Sequence, residues 1–181
     1  DEQFAIYYSD KSGDYELYRC DARTGEKEEQ ITTSKDEGHH FLEPYFPIVA
    51  SPDGENIAWA DQTGTLFSTG VTTHTLTLIT QSKVAEITEY EWSPDSKHLA
   101  YAERMENDYR RISVYTKETG KSVPVTDDMY DSFSPTWDPD GKFLFYLSGR
   151  TYDRESGAFE EQAIMVDPIK IYALPLTTKI E

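Results

Sequence analysis

Apolar residues in this chain fall into short runs of about four to seven, and clusters of Gly, Pro, Asp, Ser and Thr separate them. No stretch sustains the 3.6-residue period of an amphipathic helix, so the pattern predicts strands joined by tight turns. Three eleven-residue stretches repeat one pattern: "ASPDGENIAWA" at 50–60, "WSPDSKHLAYA" at 92–102 and "WDPDGKFLFYL" at 137–147. In each, a Pro at the second position of a type I turn supplies a φ that already fits, and Ser51 and Gly54 suit its first and fourth positions. Ser96 takes the place of the glycine in the second copy, at some cost. Each turn opens a strand with an aromatic seven residues after the proline: Trp59, Tyr101 and Tyr146.

Pro52, Pro94 and Pro139 lie 42 and 45 residues apart. A period of this size means one supersecondary unit per repeat, stable only when neighbours stack. Before each turn stands a first strand ("YFPIVA", "ITEYEW", "FSPTW"), and beyond the second strand come a third ("TLFST", "RISVYT", "IKIYAL") and a fourth ("TLTLIT", "SVPVT"). Four antiparallel strands per repeat make a β-propeller blade. The opening "FAIYYSD", "YELYRCD" and "EEQIT" align with second, third and fourth strands, so the first blade lacks its innermost strand within this chain. In the last copy a polar excursion, "SGRTYDRESGAFEEQAIMVDP", separates the second and third strands, and no clear fourth follows. The predicted fold is all-β: propeller blades of four-stranded antiparallel sheets, about four of them, at approximately 1–33, 44–80, 86–126 and 131–178. The first and last are incomplete, which points to a segment of a larger propeller. Trp92 and Trp137 end the innermost strands of successive blades and are expected to be buried between them; Trp59, Tyr101 and Tyr146 are expected to pack there as well.

Composition narrows the partners. The chain has 181 residues, 13% of them aromatic, so it folds although apolar residues make up only 37%. A net charge of −17 repels phosphate and argues against nucleic acid, and no apolar run approaches a membrane span. The single cysteine, Cys20, excludes an internal disulfide and is expected to be a packed thiol. The absence of a starting Met and of a leader suggests a processed or excised piece.

The Ser-Pro-Asp-Gly repeats resemble those of TolB, of prolyl oligopeptidase relatives and of tricorn proteases. The stretch "NDYRRISVYTKETGKSVPVTDDMYDSFSPTWDPDGKFLFYLSGRTYD" resembles the closing blades of the seven-bladed propeller of tricorn-type serine peptidases, and "SDKSGDYELY" and "EWSPDSKHLAYA" fit the same region. The resemblance implies a non-catalytic segment that guides or gates peptides toward an active site in other domains, since the family's catalytic serine and histidine lie elsewhere. Peptide substrates and adjoining domains of the parent chain are then the partners, with homo-oligomerisation left open, and the compartment is cytoplasmic or periplasmic. Two alternatives stand beside it: a TolB-like protein-binding propeller and the propeller lid of a prolyl-oligopeptidase-type hydrolase. A PDZ-like module, a signal peptide or an α/β-hydrolase elbow in flanking sequence would discriminate the three.

Candidate chemistry within the chain is sparse. There is no G-x-S-x-G elbow, no glycine-rich phosphate loop and no C-x-x-C pair, so no catalytic residue, cofactor or metal site is expected. His39, His40 and Glu43 in "HHFLEP" are zinc-competent residue types, but adjacent histidines on an extended segment point to opposite sides. Arg110 and Arg111, placed at a hairpin tip, and Arg150, just past a strand end, stand out in an acidic chain; arginines clamp carboxylates, and a peptide C-terminus is such a target. In a meander, loops between second and third strands share a face with the inter-blade loops. That face carries these arginines and is the expected binding face, while the Ser-Pro-Asp turns form the other.

Overall fold

The computed structural model describes residues 4–33, 46–150, 154–156, 163–165 and 168–176. They fall into two compact units, 1–88 and 89–181. "HHFLEP" lies outside the described residues.

The first unit holds two antiparallel sheets. One contains β1 (Phe4–Ser9), β2 (Glu16–Asp21) and β3 (Glu29–Gln30); the other contains β4 (Val49–Ala50), β5 (Asn56–Ala60), β6 (Thr65–Gly70) and β7 (Leu76–Gln81). Between them packs an apolar cluster of Leu17, Ile31, Ile57, Trp59, Phe67 and Val71. Trp59 is fully buried, its ring stacked on Phe67 at 4.5 Å across the β5–β6 register. Its indole N–H donates to Thr69 Oγ1 at 2.8 Å, which meets the polar end of the ring without leaving the sheet. Every residue of β6 is buried, Thr and Ser included.

The second unit has the same plan. β8 (Glu89–Trp92), β9 (His98–Arg104), β10 (Arg110–Thr116) and β11 (Lys121–Pro124) form one sheet in that spatial order; β12 (Ser132–Trp137), β13 (Phe143–Ser148) and β16 (Lys170–Pro175) form the next. Ala100, Ala102, Ile112, Trp137, Leu144 and Tyr146 make the core between them. Trp92 and Trp137 are buried, as the repeat required, and so are Tyr101 and Tyr146. The Trp137 indole N–H donates to the Glu91 carbonyl at 2.9 Å and so ties one sheet to the other. The polar excursion after β13 carries a small hairpin of its own, β14 (Arg154–Ser156) with β15 (Ala163–Met165), which the polar/apolar pattern did not announce. Cys20 is half-buried on β2, opposite Ala5.

The repeated turns are built alike. Gly54, Ser96 and Gly141 donate N–H to Ser51, Ser93 and Asp138 carbonyls at 2.8–2.9 Å, and the same three residues sit at φ +72, +59 and +68. The fourth turn position is therefore left-handed, which Gly adopts freely and Ser96 only under strain. In the first two copies the opening serine closes the turn. Ser51 Oγ donates to Asp53 Oδ1 at 2.5 Å and accepts from Asn56 N at 3.0 Å; Ser93 repeats this with Asp95 and His98. Asp138 replaces the serine in the third copy and accepts instead from Lys142 N at 3.1 Å.

Candidate functional site

The connections from β9 to β10, from β11 to β12 and after β13 lie at the same end of the second unit's strands, as antiparallel meanders require. The tip between β9 and β10 is Met105–Tyr109: Met105 N donates to Tyr109 O, Asp108 N donates to Met105 O, and Asp108 stands at φ +68. Asn107 Nδ2 donates to Asp128 O at 2.7 Å and ties this tip to the neighbouring connection.

Arg110 and Arg111 are the first residues of β10, just past that tip rather than on it. Arg110 is held from several directions. Its Nε and one terminal nitrogen donate to Asp131 at 3.0 and 2.7 Å, its other terminal nitrogen donates to Glu89 at 3.0 Å, and its guanidinium lies 3.9 Å over the Phe133 ring. A bidentate fork of this kind is the strong form of the arginine–carboxylate pair. It holds the Asp131 carboxyl below its usual range, chiefly through the Arg110 hydrogen bond, while burial works the other way; the same pairing raises the Arg110 guanidinium. Glu89 also accepts from Ser134 N at 2.5 Å, where a bulge in β12 puts Ser134 at φ +52. Glu89, Arg110 and Asp131 thus bridge the two sheets.

Arg111 donates to Glu103 at 2.8 Å from the neighbouring strand, and Ser113 Oγ reaches the same carboxylate oxygen at 3.3 Å. Its Nε is buried without a hydrogen-bond partner. Arg150 is held more loosely. Nε donates to Ser148 Oγ at 3.2 Å, one terminal nitrogen lies 3.7 Å from Asp127, and the rings of Tyr130, Tyr146 and Tyr172 surround the guanidinium at 5.3, 5.8 and 5.6 Å. Tyr146 and Tyr172 stack on each other at 5.7 Å.

The structure therefore brings all three predicted arginines to one end of one unit and gives them different neighbours. Arg110 has two carboxylates and a ring, Arg111 one carboxylate, and Arg150 three aromatic rings with an acid at 3.7 Å. Sequence reasoning missed Glu89, Asp131 and the three tyrosines. Asp131 sits 21 residues from Arg110 in an acidic stretch whose composition gives no hint of a specific pairing. Among the described residues no cluster of His, Cys, Asp and Glu has the geometry to hold a metal ion.

Comparison with known proteins defines the family. The family described as the tricorn protease second beta propeller domain matches residues 1–181. The chain is 34% identical over 107 residues to a putative tricorn-like protease C-terminal subunit of Sulfurisphaera tokodaii, covering 59% of this chain and 12% of that protein. It is 24% identical over 180 residues to the tricorn protease of Thermoplasma volcanium, covering 96% of this chain and 17% of that protein. The chain spans less than a fifth of the length of either relative. A crystal structure of the tricorn protease superposes with a TM-score of 0.79 at 24% identity, over 97% of this chain and 17% of that one. All-β, built of stacked blades of three or four antiparallel strands and matched over its whole length, the chain belongs to the family of tricorn protease second β-propeller domains.

Proposed function

We propose that residues 1–181 form one segment of a propeller in a tricorn-like serine peptidase, with blades at about 1–33, 44–80, 86–126 and 131–178. The segment is non-catalytic. It guides or gates peptide substrates toward an active site carried by adjoining domains, which with the peptides are its partners. The observation that carries this reading is Arg150, a guanidinium packed among three tyrosines at the loop end of the second unit, with its nearest carboxylate 3.7 Å away. A cation fixed by rings and weakly paired is pre-organised for a carboxylate that arrives from outside, such as a peptide C-terminus. Arg110 and Arg111 lie at the same end of the unit's strands with charges that Glu89, Asp131 and Glu103 balance, so their part in substrate binding is to shape the loops and add positive potential. The surrounding acidity opposes phosphate-rich partners.

The test uses the full-length enzyme and paired peptides with free and amidated C-termini. Arg150→Glu should lower kcat/KM about tenfold or more for free-carboxylate peptides and leave the amidated ones within about twofold, by the usual size of a charge-assisted contact. Lys83→Glu, the same charge change on an exposed loop of the first unit, should leave both unchanged. Equal losses on both peptide classes, or no loss, would overturn the reading. The isolated chain should cleave none of the peptides, since no nucleophile-and-base pair is found in its sequence.

A further inference from the structure

Met129 and Tyr109 stand 69% and 39% exposed on the two connections that meet at the Arg150 end of the second unit. Hydrogen bonds pin both connections. Asn107 lies between them: its Oδ1 accepts from Tyr109 N at 3.1 Å, and its Nδ2 donates at 2.7 Å to the carbonyl of Asp128, the neighbour of Met129. Asp127 joins Met129 to Arg150 in a similar way. One of its carboxylate oxygens accepts from Met129 N at 3.1 Å, and the other lies 3.7 Å from the Arg150 guanidinium. Met129 and Arg150 therefore sit on two sides of a single carboxyl group, a separation that one peptide residue can bridge. Tyr130, next along the chain, sets its ring 5.3 Å from the same guanidinium.

We propose that Met129 and Tyr109 form an apolar subsite for the side chain of a peptide's C-terminal residue, the residue whose carboxylate meets Arg150. The segment then selects peptides that end in a large aliphatic or aromatic residue. This inference rests on the reading of Arg150 as the carboxylate acceptor and adds a substrate class to it. The chemistry on the page favours this occupant. An acidic side chain would meet the like charges of Asp127 and Asp128. A basic one would find carboxylates that already face cations, Asp127 with Arg150 and Asp108 with Arg104 at 3.5 Å. An apolar side chain covers Met129 and Tyr109 without breaking an ion pair. Methionine adapts its shape to different apolar partners, and the tyrosine ring offers a stiff face with few rotors to fix.

The test uses the full-length enzyme and peptides of one sequence ending in Leu, Ala, Lys or Glu, each with a free and an amidated C-terminus. Among free-carboxylate peptides, kcat/KM should be about fivefold higher for Leu than for Ala, less than an enclosed pocket gives because this surface is open. The Lys peptide should match Ala, and the Glu peptide should fall below it. Met129→Ser combined with Tyr109→Ser changes two exposed side chains and should keep the melting temperature. It should bring the Leu-to-Ala ratio close to that of the amidated pair, while the Ala peptides keep their preference for a free terminus. A wild type that treats free and amidated peptides alike overturns the Arg150 reading and this proposal with it. A free-terminus preference beside a Leu-to-Ala ratio that survives the double variant overturns this proposal alone. So does a Lys peptide that outperforms Leu, because the acidic loops would then be the selector. A double variant with a lowered melting temperature and unchanged selectivity also overturns it, since Met129 and Tyr109 would then be covered by another part of the enzyme.

Discussion

The two inter-sheet junctions, one in each unit, solve the same packing problem by different means. In the first unit the sheets meet through an apolar cluster around Trp59, whose indole N–H is satisfied inside its own sheet by Thr69. Cross-sheet polar contacts there include Arg19 donating to Val71 O at 2.8 Å and to Thr72 Oγ1 at 3.4 Å, Tyr8 Oη donating to Phe46 O at 3.2 Å, and His74 Nε2 lying 3.4 Å from Glu29 Oε1. In the second unit the apolar cluster is supplemented by charge. Trp137 donates across the junction to Glu91 O, and Arg110 joins Glu89 to Asp131 while Glu89 captures the Ser134 amide. One repeat thus tolerates two kinds of seam because burial supplies the stacking energy and the polar contacts fix the alignment. The first seam should respond mainly to lost volume, because its His74–Glu29 contact is part-exposed and the other contacts end on neutral oxygens. The second should respond to lost volume and to pH.

The largest effect that separates or equates the seams is removal of the tryptophans. Trp59→Ala and Trp137→Ala should each cost about 3–5 kcal/mol in denaturant melts, as large buried aromatics do. Phe at the same positions should divide them. Trp137→Phe strands the Glu91 carbonyl at the junction, while Trp59→Phe takes the indole donor from the Thr69 hydroxyl, which can rotate toward another partner. A cost for Trp137→Phe no greater than that for Trp59→Phe would show that the cross-sheet bond does not align the seam.

Arg110→Met is expected to cost about 1–2 kcal/mol at pH 7, because solvent at this part-exposed site screens the pair below the value of a buried one. Its pH dependence has a definite sign. The Asp131 carboxyl is held below its ordinary 3.8 by Arg110, so the folded state favours its ionised form. That contribution is complete above about pH 5 and fades as pH falls through the folded-state value. The stability gap between wild type and Arg110→Met should therefore narrow from pH 6 to pH 3. A gap that widens toward acid would remove Asp131 from the clamp.

Another comparison sets two glycines of one unit side by side. Gly54 and Gly64 both stand at positive φ, +72 and +79, but a Cβ on Gly54 meets open space, while on Gly64 it would come within 2.9 Å of Ala85 O and 3.0 Å of Ser82 O. Gly54→Ala should cost about 1 kcal/mol from backbone strain alone. Gly64→Ala should cost roughly 2–3 kcal/mol, since the strain is joined by a clash with main chain that cannot swing away. Equal costs would mean that the Ser82–Ala85 loop yields to a side chain at position 64.

Much of this structure could be read from the chain alone. The 42- and 45-residue spacing of Pro52, Pro94 and Pro139, with an aromatic seven places on, sufficed to set strand order, the turn positions and the burial of Trp59, Trp92, Tyr101, Trp137 and Tyr146. Those features follow from local rules: proline presets a turn, alternation sets a face, and a period of this length demands stacking. The left-handed φ of Ser96 was only half visible, because its replacement of glycine shows in the sequence while the sign of φ does not. The excursion hairpin of β14 and β15 gave no signal, its strands being three residues long and mostly polar or small. The partners of the arginines belong to the fold. Glu89, Arg110 and Asp131 are each 21 residues from the next, and Arg150 meets Tyr130, Tyr146 and Tyr172 only when two strands and a connection converge. The sequence determined that there would be blades and which side chains would fill them, because backbone geometry and burial act over a few residues. Which charges balance and which rings gather around a cation were decided by tertiary structure, because they depend on distances between strands that no local pattern encodes.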